Sequence, residues 1–147
     1  MDLGAKKALL DVILQRAADQ LGDLTPHVMD AFYRRFPDAK LRFADLANGE
    51  RLKLEQQMVE QALYCLMVWL DGRPQIEIIF HTTIPHHAQT LSVRPELFSE
   101  LIAAVHATIA ATIPAQETEE TAVWNELHAG MKALIADIVA QNGLVAA

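Results

Sequence analysis

Three of the chain's six histidines fall in one short segment, HTTIPHHAQTLSVRPELF, residues 81–98: His81, His86 and His87. A neutral imidazole is the commonest protein ligand for a transition metal. The same residues after Pro85 also read as an ordinary polar surface turn. On a helix, His86 and His87 point about 100° apart. His87 shares a face, at steps of three and four, with Phe80, Thr83 or Ile84, and Leu91. That spacing predicts an inward His87 with apolar neighbours, and a His86 that faces solvent or the edge of a pocket. His27, His106 and His128 lie on separate segments without metal-ligand spacing. A His-Glu-x-x-His pair, a glycine-rich phosphate loop and a Gly-x-Ser-x-Gly elbow are all absent from the sequence, so enzyme classes built on them lose support. The single cysteine, Cys65, excludes an internal disulfide framework, fits a reducing compartment and reads as a small buried hydrophobe.

The elements that would position these residues are helices. The chain has 147 residues, enough for one domain over residues 1–147 that buries roughly 70% of its unfolded surface. A net charge of −7 argues against nucleic acid as a partner. The N-terminal stretch mixes charged with apolar residues, unlike a signal peptide, and the longest apolar run, ALYCLMVWL, is nine residues, far short of a membrane span. A cytoplasmic domain with no membrane partner is the expectation. Hairpin signals are missing, while helical spacing recurs throughout. Residues 5–20 place Leu9, Val12, Ile13 and Ala17 on one face. Thr25 and Pro26 open a second helix with the stripe Val28, Met29, Phe32, Phe36. After Pro37 comes a short helix ending near Phe43, then a loop, ADLANG. Residues 50–70 carry the line Leu52, Val59, Ala62, Leu63, Leu66, Leu70, ended by DGRP. A further helix spans about 75–91, interrupted by Pro85. Pro95 opens another with Leu97, Leu101, Val105 and Ile109, and the last runs from about Glu117 to Gln141 with Val123, Leu127, Leu134 and Ile138. The sum is an all-α fold of about seven helices.

Three patterns then fall into one order. FYRRFPDAKLRF has Phe36-Pro37 and, six residues beyond the proline, Phe43. HAQTLSVRPELF has His87 shortly before Pro95. TAVWNELHAGMKALIADI places Trp124 near the start of a long final helix. In this order and spacing, over nearly the whole chain, the sequence resembles the globins, and in particular bacterial single-domain globins. The resemblance implies a globin-like fold, a haem b cofactor, His87 as the proximal iron ligand, and a diatomic gas (oxygen, NO or CO) bound opposite for storage, sensing or detoxification. It implies haem contact for Phe43, Phe80 and Leu91. Any NO-dioxygenase-like turnover would need an external reductase. A homodimer is left open.

On the distal side the resemblance leaves alternatives. If Val59 overlies the haem, Glu55 takes the distal position; a register shifted by one gives Gln56, and a count back from His87 gives Met58. Glu55 and Gln56 flanking the stripe in solvent is the plainer reading. Met29 stands where bacterial globins often carry a tyrosine, and Tyr33, one turn later, is expected to lie too deep to touch a ligand. Phe36, Phe98 and Trp124 read as core. His81 is the fallback ligand, and a bilin on Cys65 is a remote alternative. Pro85, two residues before His87, departs from the pattern by removing a backbone hydrogen bond. It motivates a second function, a haem-free globin-fold sensor or interaction module of the kind found in bacterial stress regulators. A third reading is a helical module whose acidic surface contacts a protein partner.

Overall fold

The computed structural model describes residues 1–91 and 93–144. Among them there are six helices and no strand: α1 Leu3–Leu21, α2 Leu24–Arg35, α3 Pro37–Leu46, α4 Arg51–Thr90, α5 Glu96–Ala110 and α6 Thr118–Gln141. The all-helical expectation holds; the helix count differs because two expected helices are continuous in α4.

The first three helices start and stop for local reasons. Asp2 caps α1 by accepting from the Ala5 amide at 2.8 Å, and Gly22 ends it at φ 64°. The buried face is Leu10, Ile13 and Ala17; Val12, expected inward, is about half exposed. A stripe three residues wide leaves no room for its neighbour one step, about 100°, away. Asp23, not Thr25, caps α2, accepting from the Thr25 amide at 3.0 Å. Pro26 still falls in the first turn, where a missing N–H costs nothing. Pro37 opens α3, which runs on to Leu46 through the stretch expected to be a loop. Ala44, Asp45 and Leu46 contain no breaker. The left-handed residues come only at Asn48 and Gly49, with φ 51° and 89°.

α4 is one helix by hydrogen bonding but two arms by direction. Gly72, with φ −121° and ψ 22°, is non-helical inside it. Gln75 Nε2 donates to the Tyr64 hydroxyl at 2.9 Å across this point. In a straight helix those two Cα atoms would lie about 16 Å apart, beyond the reach of the two side chains. The helix axis therefore bends at Gly72, toward the side that carries Tyr64 and Gln75. Pro74 sits in the first turn of the second arm, where it interrupts no bond that arm needs. Leu52, expected on the inward line, is 72% exposed, because the first turn of α4 projects past the core.

α6 is the central helix, packed on α1, α4 and α5. Its stripe Val123, Leu127, Leu134, Ile138 is buried, with Trp124 and Met131 beside it. Gly130 is required by close approach: a Cβ there would meet Trp69 Cζ2 at 2.6 Å. Arg16 of α1 holds the buried Glu120 of α6 in a two-point contact of 2.8 and 3.1 Å. No described helix is long and apolar enough to cross a membrane.

Candidate functional site

The second arm of α4 and the start of α5 form the first half of the site. Phe80 and Ile84 are buried, His87 and Leu91 half-buried, and His86 exposed. Nδ1 of His87 lies 2.8 Å from the Thr83 carbonyl oxygen, one turn back. A carbonyl can only accept, so Nδ1 is the donor in this contact, and in a neutral ring the lone pair is on Nε2. The edge of the imidazole meets Phe98 of α5 at 5.2 Å between centroids, nearly perpendicular, which restrains ring rotation. The His87 carbonyl accepts from the amides of Leu91 and Val93, closing the end of α4. Pro85, half-buried, thus stands in a helix that continues past it without a break.

The second half comes from α2, α3 and the first turns of α4. Phe43 is buried and lies 6.1 Å from the Phe32 ring, nearly parallel to it; Tyr33 leans on both. Glu55 is buried at 5% exposure, facing this aromatic group. Its Oε1 is 3.4 Å from Arg51 Nε, an ion pair without hydrogen-bond geometry. The Tyr33 hydroxyl is likewise buried and without a partner. Burial first, then the charge of Glu55 and the closeness of its carboxylate to the hydroxyl, raise the phenol above its ordinary value. The two polar groups influence each other yet close no hydrogen bond of normal geometry. Arg42, next to Phe43 on α3, donates to the Leu91 carbonyl at 3.1 Å, tying α3 to the His87 end of α4.

The remaining candidates separate. Gln56 is exposed and donates to Glu60 at 3.0 Å. Met58 is half-buried against the core, and Met29 is core at 1% exposure. Val59 is buried but lines an apolar cavity of about 360 Å³ with Leu14, Ala17, Leu63 and Ile109; neither His87 nor Phe43 borders it. Cys65 is buried and its thiol is pushed up to about 11, chiefly by burial, which suits inert packing. His81 is exposed. His106 and His128 form a pair the sequence spacing did not suggest: their rings stack at 4.3 Å, and His106 also stacks on Trp124 at 5.7 Å. Among the described residues no group of three or more metal-ligating side chains comes together.

Sequence reasoning set Tyr33 aside as too deep to touch a ligand, and passed over Thr83 as a hydrogen-bond acceptor and Phe98 as a contact of His87. For Thr83 the signal was available, since the carbonyl four residues before an inward histidine is the nearest acceptor on its own helix. Neither the family models, the curated proteins nor the solved structures contain a match to this chain.

A haem would need an axial nitrogen with a fixed tautomer, an apolar surround and polar groups restricted to the ligand side. His87 with Thr83 meets the first condition, and Phe43, Phe80, Ile84 and Phe98 supply apolar surface. The orphaned buried oxygens of Tyr33 and Glu55 are polar groups lacking the partner that buried groups normally have. The donor set at His87 suits the group in its chemistry, while the two cavities at Val59 and at Asp30–Lys40 do not border His87.

Proposed function

We propose that this chain is a haem-binding protein of globin type, in which His87 Nε2 would hold the iron and the haem would take a diatomic gas. The observation that carries the reading is the 2.8 Å contact of His87 Nδ1 with the Thr83 carbonyl. Metal-bound histidines almost always donate their second ring N–H in this way, which orients the ring and raises its basicity. The haem, when bound, supplies the iron site at which a gas is held. The protein's part is to aim the imidazole, exclude water with Phe43, Phe80 and Ile84, and offer a donor at Tyr33 and an acceptor at Glu55. Met29 would then be packing, and Tyr33 would take the polar role.

The experiment is reconstitution of the purified chain with haemin. A Soret band saturating at one haem per chain is expected, and His87→Ala is expected to shift it, with added imidazole restoring it. His86→Ala is expected to leave it in place. A spectrum that stays that of free haemin refutes the reading. The haem-free sensor would then lead, and one observation favours it now: the apolar cavity at Val59 lies away from His87, as in a fold that holds something other than haem.

A further inference from the structure

The cavity of about 360 Å³ lies among α1, α2, the first arm of α4 and α5. Its floor is buried and apolar: Ala17, Val59 and Ile109 are each no more than 2% exposed. Leu14, Leu24 and Leu63, half-buried, continue the wall, and Met67, 47% exposed, stands at the mouth. The volume exists because small residues meet there. Ala17, Ala18 and Gly22 fall along the end of α1 where larger side chains would have closed the gap. A cavity of roughly 150 Å³ with an apolar lining stays dry and accepts one benzene, so this one has room for about a dozen carbon atoms. A flexible, polarisable methionine at an opening suits occupants of variable shape.

The polar lining is confined to Asp23, Thr25 and Glu60, and Asp23 and Glu60 are exposed, so their charges sit at the rim. No lysine, arginine or histidine lines the cavity. Each carboxylate has one oxygen engaged, Asp23 with the Thr25 amide at 3.0 Å and Glu60 with Gln56 at 3.0 Å, which leaves the other oxygen of each as a further acceptor. An anionic head emerging there would meet two like charges; a cationic or hydroxyl head would find acceptors.

We propose that this cavity binds a small amphiphile with an apolar body of about ten carbons and a cationic or neutral head, in preference to a fatty acid. The site is separate from His87, and the proposal does not depend on haem. The test uses the full chain and three probes of one length below their micellar concentrations: decylammonium, decanol and decanoate, followed by titration calorimetry. Decylammonium and decanol are expected to bind one per chain, and decanoate at least tenfold more weakly. Ala18→Phe, filling the cavity from its exposed wall, is expected to abolish binding. Glu60→Lys, a surface change, is expected to narrow or reverse the preference against decanoate. His87→Ala is expected to leave all three affinities unchanged, so failure of the haem reading and failure of this one are read separately. Equal affinity for decanoate and decylammonium, binding untouched by Ala18→Phe, or no saturable binding overturns the proposal.

Discussion

Tyr33→Phe tests the polar half of the site most directly. The substitution removes one oxygen and keeps the ring, whose neighbours are Phe32 at 5.8 Å, Phe43 at 6.2 Å and the Lys40 ammonium at 5.8 Å. That oxygen is buried and without a partner, although the residue as a whole is half-buried. A buried hydroxyl left unpaired costs about 1–3 kcal/mol, and the low end applies to a side chain partly open to water. Removing it is therefore expected to stabilise the haem-free protein by about 1 kcal/mol. For a chain of this length that is a rise of about 2–4 °C in Tm, read by calorimetry. Because burial and the Glu55 charge hold the phenol protonated above its ordinary range, the gain should be constant from neutral pH into mild alkali. Under the proposed haem reading, the same variant reconstituted with haem should release a bound gas several-fold faster, by stopped-flow, if the hydroxyl donates to it. A fall in Tm on substitution would mean that the oxygen already has a partner worth more than its burial, and the argument from unpaired groups would fail with it.

Other expectations follow from single contacts. Gly130→Ala puts a methyl 2.6 Å from Trp69, so it should cost about 1–3 kcal/mol or force α4 and α6 apart; an unchanged urea midpoint would contradict that packing. His106 and His128 are held below their ordinary value, His106 by burial against the opposing bond to Asn125, His128 by burial and then by the charges of His106 and Lys132. The folded state thus binds their protons less readily than the unfolded chain does. Their contribution to stability should be complete above about pH 6.5, the unfolded value, and decline as the pH falls through that point toward their lowered folded values. Urea titrations of the parent and of a His106→Gln/His128→Gln variant should converge at acid pH, and parallel curves would show that the pair does not titrate in this way. Because the His106 ring stacks on Trp124, protonation is also expected to quench that indole's fluorescence over the same range.

The helix faces that could be read in advance were those set by local periodicity within a fully enclosed helix, such as Val28, Met29 and Phe32 or Val123, Leu127, Leu134 and Ile138. Periodicity failed where the helix runs past the core. Leu52 and Glu55 lie three residues apart on one side of α4, and hydrophobicity favours Leu52 as the inward one. The core edge falls between them, so the leucine is in solvent and the carboxylate inside. Nothing local marks that edge, because it is set by where α2 and α3 bring Phe32, Tyr33 and Phe43. The kink at Gly72 was legible as a break, and the contact of Tyr64 with Gln75 spans it. The cavity was hidden for the opposite reason: Ala17, Ala18 and Gly22 read as ordinary helix and cap residues, and the space they leave is a property of four helices at once.

These failures are not scattered at random over the chain. Where pattern and structure agree, every level points the same way: apolar residues on a stripe, aspartate caps opening α1 and α2, and the buried Glu120 answered by Arg16 at two points. At Glu55 and Tyr33, as also at Glu96 Oε2 in the first turn of α5, the levels conflict, with buried oxygens that make no hydrogen bond within the protein. A sequence that resolves its buried charge at Glu120 with a two-point arginine, yet leaves Glu55 with a 3.4 Å contact to Arg51, retains a local instability that a leucine would remove. Natural proteins tolerate such conflicts mainly at functional sites. On that ground the Tyr33–Glu55 corner, more than the histidine cluster that first draws the eye, is the place where a bound partner should change the stability of the protein most.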